Sequence, residues 1–360
     1  MTTLETDGFH HITMVAANAP RTLAFYRDLL GLDLVKRTVN FDDPGTYHLY
    51  FGRDGGRPGT ILTFFEWPHG GRGHWGVGGV HHVALGVESR QAQLKWKRRL
   101  TDAGVGVSGP IDRGYFHSLY FSDPDGQVLE IATRGPGYAI DEPADALGRE
   151  LVEPPVERLP GGRDEAAIQA ATHPEPVPVV TADMALRGLH HVSAITNDLE
   201  RAHEFYEEAL GLRLVKKTLN QDDARTQHWF WARYDGGEVG PHSAMTLFGW
   251  PDSSVMARPG TGQTHHIAFR ARDEEQQLAW RDHLLGLGLQ VSPVMDRQYF
   301  RSIYFSSPDG LLHEIATDVP GFALDEEPAE LGSALMLPPW LEDKRPAIEE
   351  RLAPLPSAAR

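Results

Sequence analysis

Hydrophobic and polar residues alternate in four short segments of the chain, and each segment begins close to a pair of histidines. The segments read GFHHITMVA, GVHHVALGV, GLHHVSAIT and QTHHIAFRA. A period of two places successive side chains on opposite faces, which is typical of a β-strand with one face packed on a core. The pattern therefore predicts four similar strands, each of which opens a structural unit.

Helix signals follow the first and third of these strands. Asn18 is a predicted N-cap and Gly31 a predicted C-cap in the first unit, and Asp198 and Gly211 hold the same places in the third. Further β-like runs such as YHLYFG and TILTFF follow, and SDPDG and SSPDG predict tight hairpin turns in the second and fourth units. The inferred unit is a strand, a helix and three strands, a βαβββ module.

The chain also repeats itself over long distances. Residues Phe25–Asp43 recur as Phe205–Asp223 with 12 of 19 positions identical, and Asp112–Glu142 recur as Asp296–Glu326 with 20 of 31 identical. Such self-similarity indicates a duplicated α+β protein with two modules in each half. The predicted divisions are a first half over 1–150, a proline-rich linker over 151–187, a second half over 188–337 and a C-terminal tail over 338–360.

Composition narrows the classes of function. The 360 residues carry a formal net charge of −16, which disfavours nucleic acid and anionic membrane surfaces as partners. No run approaches the roughly 18 apolar residues that span a bilayer, and the first residues do not follow the pattern of a signal peptide. Because the chain has no cysteine, disulfides and metal–thiolate sites are excluded, whereas 18 histidines are available. We expect a cytoplasmic protein.

Two glutamates interrupt otherwise apolar predicted strands, Glu130 in QVLEIAT and Glu314 in LLHEIAT. A carboxylate on a buried strand face is unfavourable unless it is paired or bound to a cation. Modules two and four each offer histidine and glutamate, whereas modules one and three offer histidine alone. Two modules combined supply two imidazoles and one carboxylate, the ligand set of non-heme Fe(II) oxygenases, which leaves open positions for substrate and O2.

Strand alternation selects the ligand within each histidine pair. In the first strand, Ile12 and Met14 share a face with His10, and this apolar face is expected to pack on the helix. The second histidine then faces the other way and is the predicted ligand. The second histidines are His11, His82, His191 and His266. We leave His228 undecided and expect five others on the solvated surface. These are His48, His69, His74, His242 and His283.

Three stretches resemble the vicinal oxygen chelate superfamily, which includes glyoxalases, bleomycin resistance proteins and extradiol dioxygenases. They are HHIT, FYRDLLGLDLVKRTVNFDDPGTYHLYFG and YFRSIYFSSPDGLLHEIAT. The likeness covers nearly the whole chain outside the linker and the tail, and it is strongest to ring-cleaving hydroquinone dioxygenases. It implies two cupped, barrel-like mixed sheets with helices outside. It further implies Fe(II) or Mn(II), O2, a small hydroquinone or catechol as substrate, and it allows a homo-oligomer.

The same resemblance implies roles for individual residues. His11, His266 and Glu314 match the metal ligands. Other matching positions carry functional groups near the open metal positions. These are His10, Thr13, His265, Arg297 and Tyr304. The resemblance makes Tyr304 and His265 candidate acid–base groups. Strict alternation turns His10 and His265 away from the metal unless the start of the strand twists or bulges.

A second set of the same residue types lies in the middle of the chain, and we treat it as a second candidate metal site between modules two and three. It consists of His82, Glu130 and His191, with Arg113 and Tyr120 standing where Arg297 and Tyr304 stand later. Two other functions remain open. One is a glyoxalase-type metal-dependent isomerase or lyase, whose fourth ligand would have to come from near Glu66. The other is a metal-free resistance protein that binds an aromatic compound.

Overall fold

The computed structural model describes residues 4–356 and contains four βαβββ modules. Modules one and two comprise β1 (Phe9–Ala16), α1 (Ala19–Leu23), β2 (Asp33–Asn40), β3 (Asp43–Gly52), β4 (Ile61–Glu66), β5 (Val80–Val87), α2 (Arg90–Asp102), β6 (Val107–Asp112), β7 (His117–Ser122) and β8 (Val128–Thr133). The connecting segment contains β9 (Leu151–Val152) and α3 (Glu165–Ala170). Modules three and four comprise β10 (Leu189–Thr196), α4 (Leu199–Leu210), β11 (Arg213–Asn220), β12 (Asp223–Ala232), β13 (Ala244–Gly249), β14 (Gln263–Ala271), α5 (Glu274–Gly286), β15 (Met295–Asp296), β16 (Phe300–Ser306) and β17 (Leu312–Pro320), and α6 (Arg345–Arg351) follows them.

Shorter helical turns complete the chain. A π-helix, Ala24–Leu29, continues α1 directly. The 3-10 turns are Tyr138–Ile140, Val156–Arg158, Ala182–Met184, Phe322–Leu324, Pro328–Glu330 and Pro339–Lys344.

The strands form two curled mixed sheets, and each sheet takes one module from either half of the chain. Modules one and four form the eight-stranded sheet β15-β16-β17-β14-β1-β4-β3-β2, which we call the first cup. Modules two and three form the nine-stranded sheet β6-β7-β8-β5-β10-β13-β12-β11-β9, which we call the second cup. The predicted α+β class and the two cupped sheets are confirmed. The division of the chain at 150, 187 and 337 stays a prediction.

Helix capping and strand burial follow the sequence pattern. The Asp198 carboxylate accepts a hydrogen bond from the backbone of Arg201, and Gly211 ends α4 in the left-handed conformation with φ 64°. Asn18 caps α1 in the same way. On β1 the apolar side chains of Ile12 and Met14 are fully buried in the core beneath the helix, as alternation predicts.

The start of the linker and the end of the second half occupy equivalent places on the two cups. Leu151 pairs with Lys217 at the edge of the second cup, and Leu335, just before the tail, bridges to Arg37 of the first. The tail then docks through helix α6, where Ile348 is buried. Both segments therefore extend the sheets of the cups and do more than join domains.

Each cup also contacts the other through a helix of an odd-numbered module. The Tyr26 hydroxyl of module one donates to the Asp123 carboxylate of module two at 3.1 Å, and the Tyr206 hydroxyl of module three lies 3.2 Å from the His313 ring of module four. The buried apolar residues around these two contacts form one hydrophobic core that both cups share. Within residues 4–356 no helix is both long and apolar enough to cross a membrane.

Candidate metal centres

The first cup brings together two histidines and a glutamate from distant parts of the chain, and His11 and Glu314 are 303 positions apart. His11 lies on β1, His266 on β14 and Glu314 on β17, and all three are buried. Glu314 Oε2 lies 3.4 Å from His11 Nε2 and 2.8 Å from His266 Nε2, and the two Nε2 atoms are 3.4 Å apart. The three predicted ligands therefore converge on one point.

Strand register explains this convergence. β1 and β14 run antiparallel with Thr13 opposite His266, and β14 runs parallel to β17 with Ala268 opposite Glu314. Because side chains two residues apart share a face, His266 and Ala268 lie on the same side of the sheet, and so does Glu314. His11 reaches that side from the central strand next to β14. Adjacent strands place the ligand atoms within a few ångströms.

All four histidine pairs share one geometry. The Nδ1 atoms of the two rings lie 2.8 Å apart in His10–His11, 2.9 Å in His81–His82, 2.8 Å in His190–His191 and 2.8 Å in His265–His266. Burial lowers the pKa of the outer ring, to about 3 for His10 and about 4 for His265. A neutral outer ring can accept the proton of the inner Nδ1, which leaves the inner Nε2 lone pair free for a metal.

The structure thus places His10 and His265 behind the ligand rings and not in the cavity beside them. Strict alternation does not account for these contacts: the pairing of β1 with β14 skips His10 and His265, so a β-bulge brings each outer ring beside its neighbour. Their contact with the inner rings suits the orientation of a ligand more than the transfer of a proton to substrate. The acid–base role predicted for His265 stays a prediction.

A divalent cation fits the donor set of the first cup. Glu314 Oε1 accepts a hydrogen bond from the Ser302 hydroxyl, whereas Oε2 makes no hydrogen bond although it faces both imidazoles. Burial raises the pKa of this carboxyl, but His11 and His266 outweigh burial and lower the pKa well below its usual value. When the two imidazoles lose their Nε2 protons, the ionised, buried oxygen faces two nitrogen lone pairs, an arrangement that is unfavourable by itself and is stabilised by a cation.

The cavity beside this triad is lined by three of the predicted functional residues, Thr13, Arg297 and Tyr304. Arg297 Nε donates to the Tyr304 hydroxyl at 3.2 Å, and burial followed by the charge of Glu314 raises the pKa of Tyr304. The Thr13 hydroxyl lies 3.0 Å from that of Thr63 on β4. The cavity has a volume of about 20 Å³, little more than one water molecule needs.

His48 was expected on the surface, and this expectation is wrong. It lies on β3, is 8% exposed and lines the first cavity with Tyr50. Its Nε2 lies 2.8 Å from the Thr63 hydroxyl, and its Nδ1 lies 3.0 Å from the Tyr50 hydroxyl. The alternation in YHLYFG indicates this position. Tyr47 and Leu49 pack in the core, so His48 between them must face the cup.

Four other histidines were expected on the surface. His69 and His74 are exposed, as expected, whereas His242 and His283 are half-buried. The undecided His228 is the counterpart of His48 in the second cup, since it is buried on β12 and contacts the Thr246 hydroxyl at 2.7 Å. The duplicated modules therefore carry this polar group in both cups.

The second cup contains a second triad of the same type. His82 lies on β5, Glu130 on β8 and His191 on β10. Glu130 Oε2 is 3.1 Å from His82 Nε2 and 3.3 Å from His191 Nε2, and the nitrogen atoms are 3.1 Å apart. All three side chains are buried, and the arrangement repeats that of the first cup.

Glu66 contacts neither triad. It is the last residue of β4, and its carboxylate accepts backbone hydrogen bonds from Ala19 at 2.8 Å and Tyr47 at 3.4 Å. Its role is therefore to cap α1 and to tie that helix to the sheet. Among the described residues each metal-binding group has three members, so no fourth carboxylate, imidazole or thiol completes a four-ligand site.

A model of the Glyoxalase/Bleomycin resistance protein/Dioxygenase superfamily matches residues 8–131 and 188–315 of the chain. These segments make up more than half of the sequence and contain both triads. Chlorohydroquinone/hydroquinone 1,2-dioxygenase from Sphingobium indicum is 30% identical over 344 residues, which cover 93% of this chain and 92% of the relative. Bacillus subtilis MhqO, provisionally named a ring-cleaving dioxygenase, is 36% identical over 351 residues and 97% of each chain.

Solved structures give a consistent picture. A Bacillus subtilis protein provisionally named a dioxygenase superposes with a TM-score of 0.78 at 35% identity, and the match covers 98% of this chain and 99% of that one. Glyoxalase I from Zea mays superposes with a TM-score of 0.58 at 17% identity, covering 89% and 96%. The second likeness is one of fold alone.

Proposed function

Since this chain belongs to the glyoxalase/bleomycin resistance protein/dioxygenase superfamily, we propose that it is a metal-dependent dioxygenase that opens the ring of a dihydroxylated aromatic compound with O2. The observation that carries the proposal is the convergence of His11, His266 and Glu314 beside a cavity with a tyrosine and an arginine. The hydroquinone dioxygenase named above supports a hydroquinone as substrate, with a catechol as the other candidate.

Fe(II) is the metal we propose, with Mn(II) as the alternative, because two imidazoles and one carboxylate on one side of an ion leave three positions open. When bound, the metal would supply positions at which a phenolate oxygen and O2 meet and can exchange electrons. His11 and His266 hold it through Nε2 and Glu314 through Oε2. The outer rings, His10 and His265, orient the ligand imidazoles through their Nδ1 contacts.

Tyr304 and Arg297 act on the substrate side. The Tyr304 phenol lines the cavity and accepts from Arg297, so its own proton is free to be donated to an oxygen of the reacting group. Arg297 orients that hydroxyl and places a positive charge where negative charge develops. Thr13, held by Thr63, adds a hydroxyl to the same cavity.

Substrate entry into the first cup requires movement. An apolar cavity of about 150 Å³ holds benzene, whereas the first cavity has about 20 Å³. Phe41, in the turn between β2 and β3, lines this cavity, and the ring of Trp340 packs on it edge-to-face with centroids 5.7 Å apart. Trp340 belongs to the tail and is half exposed. We propose that Phe41 and Trp340 swing outward together to admit the ring.

The two alternatives have less support. An isomerase or lyase of the glyoxalase type would need a fourth ligand, and Thr63 stands on the strand that would supply it. Glu66 is occupied in capping α1. A metal-free binding protein would have no use for a buried carboxylate whose Oε2 makes no hydrogen bond. No feature of the described residues favours either function.

The test is oxygen uptake by protein purified without oxygen and reconstituted with Fe(II) or Mn(II), measured against a panel of hydroquinones and catechols. We expect uptake that depends on metal and a ring-opened product. Glu314→Ala should lose the first-cup metal and hydroquinone turnover. Glu66→Gln is the matched control, since it alters a buried carboxylate that belongs to neither triad. Ligand binding without oxygen uptake, or turnover without O2, would overturn the proposal.

A further inference from the structure

We propose that the second cup is a separate metal centre that binds dihydroxylated aromatic rings bearing a carboxylate. This inference rests on the proposed function for the class of ring and extends it to a second site. The centre consists of His82, Glu130 and His191, and its cavity is lined by Arg113 and Tyr120 at the places of Arg297 and Tyr304.

The donor set of the second cup calls for a cation at least as strongly as that of the first. Both oxygens of Glu130 lie in the core and neither makes a hydrogen bond, although Oε2 is within 3.3 Å of both Nε2 atoms. The Ser118 hydroxyl, at the place of Ser302, makes no bond to Glu130. A fully buried carboxylate that no donor stabilises is unfavourable unless it binds a cation.

The cavity of the second cup is large enough for an aromatic ring. Its volume is about 330 Å³, more than the roughly 150 Å³ in which benzene binds. One difference lies in a turn, where Gln221 stands at the place of Phe41 in the first cup. The Gln221 amide donates to the backbone carbonyl of Arg113 at 2.9 Å, which draws its side chain toward the wall. Trp75, Phe248 and Trp250 supply apolar surface for a ring.

Charges at the mouth of the second cavity select the substituent. Arg113 and the linker residue Arg163 both donate to Asp222, at 2.7 and 2.8 Å, and all three side chains line the cavity. In the first cup a single arginine, Arg297, faces Asp42 at 3.2 Å. Glu165 also binds Arg163, but it is 57% exposed and does not line the cavity, so solvent screens its charge. Two guanidinium groups against one carboxylate leave a positive cavity that favours an anionic ligand.

The first test counts metal ions. After anaerobic reconstitution with Fe(II), the wild-type chain should hold about two metals, Glu314→Ala and Glu130→Ala about one each, and the double variant none. Thermal unfolding of each metal-free variant checks that it folds, and Glu130→Gln replaces Glu130→Ala if that variant does not. One metal per chain in the wild type, retained in the Glu130 variant, would overturn the second centre.

The second test measures binding of 2,5-dihydroxybenzoate by calorimetry without oxygen, with neutral hydroquinone as the comparison. Binding of the acid should be lost in Glu130→Ala and kept in Glu314→Ala. Arg163→Gln should weaken binding of the acid by about tenfold or more and leave the neutral ring unaffected, since it removes a charge-assisted hydrogen bond. Arg158→Gln is the matched control, because it alters a linker arginine that pairs with Asp112 outside the cavity.

The two proposals fail in different ways. Two metals and Glu130-dependent binding of the acid without any oxygen uptake would refute the dioxygenase and leave the second site standing. Oxygen uptake with hydroquinone by a chain that holds one metal would do the reverse. Loss of acid binding in Glu314→Ala, with binding kept in Glu130→Ala, would place the ligand in the first cup and would also refute the second site.

Discussion

In the first cup Phe41 lines a cavity of about 20 Å³ beside the triad, whereas in the second cup Gln221 stands at the same place and the cavity measures about 330 Å³. The ligand strands hardly differ, since the atoms of each triad lie between 2.8 and 3.4 Å apart. What differs is the turn that follows β2 or β11. Strand interiors hold the triad residues, and turns set the space and charge beside them.

The covering segments differ in the same sense. The tail lays Trp340 on Phe41 of the first cup, whereas the linker brings Arg163 to Asp222 of the second. The tail covers the small first cavity with an apolar ring, whereas the linker contributes a charged side chain to the larger second cavity. Duplication therefore preserved the geometry of the two triads while the segments around them diverged.

The largest effect is expected from Tyr304→Phe, which removes the proposed proton donor of the first cup. Turnover of hydroquinone should fall by roughly a hundredfold or more while metal content is retained. Tyr120→Phe, in the second cup, should leave this turnover unchanged. Oxygen uptake and metal analysis check both variants, with Tyr26→Phe as a buried tyrosine outside both cavities. Equal losses of hydroquinone turnover in both variants would remove the distinction between the cups.

Exchanging the turn residues should exchange the properties of the cavities. Gln221→Phe should weaken binding of 2,5-dihydroxybenzoate by about tenfold or more, because overpacking a cavity is costly. Phe41→Gln should strengthen binding of neutral hydroquinone to the first cup of a Glu130→Ala chain, because it opens that cavity without adding positive charge. Anaerobic calorimetry measures both. If neither variant changes affinity, the turns do not control access.

A smaller effect concerns the contact between the cups. Burial raises the pKa of Asp123 to about 6 from 3.8. Its protonated form therefore stabilises the fold fully below pH 4, and this contribution is lost as pH rises through 6. The free energy of unfolding should fall by at most about 3 kcal/mol over that interval relative to Asp123→Asn. Urea unfolding of the metal-free protein at pH 4, 5, 6 and 7 tests this, and parallel curves would contradict it.

The smallest effect compares two serines. Ser302→Ala removes the hydroxyl that donates to Glu314 and should lower the free energy of unfolding by about 1 kcal/mol. Ser118→Ala removes a hydroxyl that makes no such bond to Glu130 and should be close to neutral. Urea unfolding of both metal-free variants measures the difference. Equal losses would mean that the two carboxylates are held alike.

Much of the first cup could be predicted from the sequence because its signals are local. Alternation in HHIT turns His11 away from the apolar side. The position of Glu314 within an apolar strand indicates that its carboxylate has a partner. The same rule applied to YHLYFG would have found His48 and Tyr50. The prediction of a surface position for His48 is wrong because His48 lies on β3, where alternation turns its side chain into the cup.

The sequence by itself determined the four modules, their capped helices and the residues that face each sheet, because helix and strand periods are local properties of a chain. Only the tertiary structure decided that module one pairs with module four and module two with module three, and that Phe41 and Gln221 make one cavity small and the other large. Pairing between distant strands and the volume enclosed by turns depend on packing among residues far apart in sequence, and no periodicity records such packing.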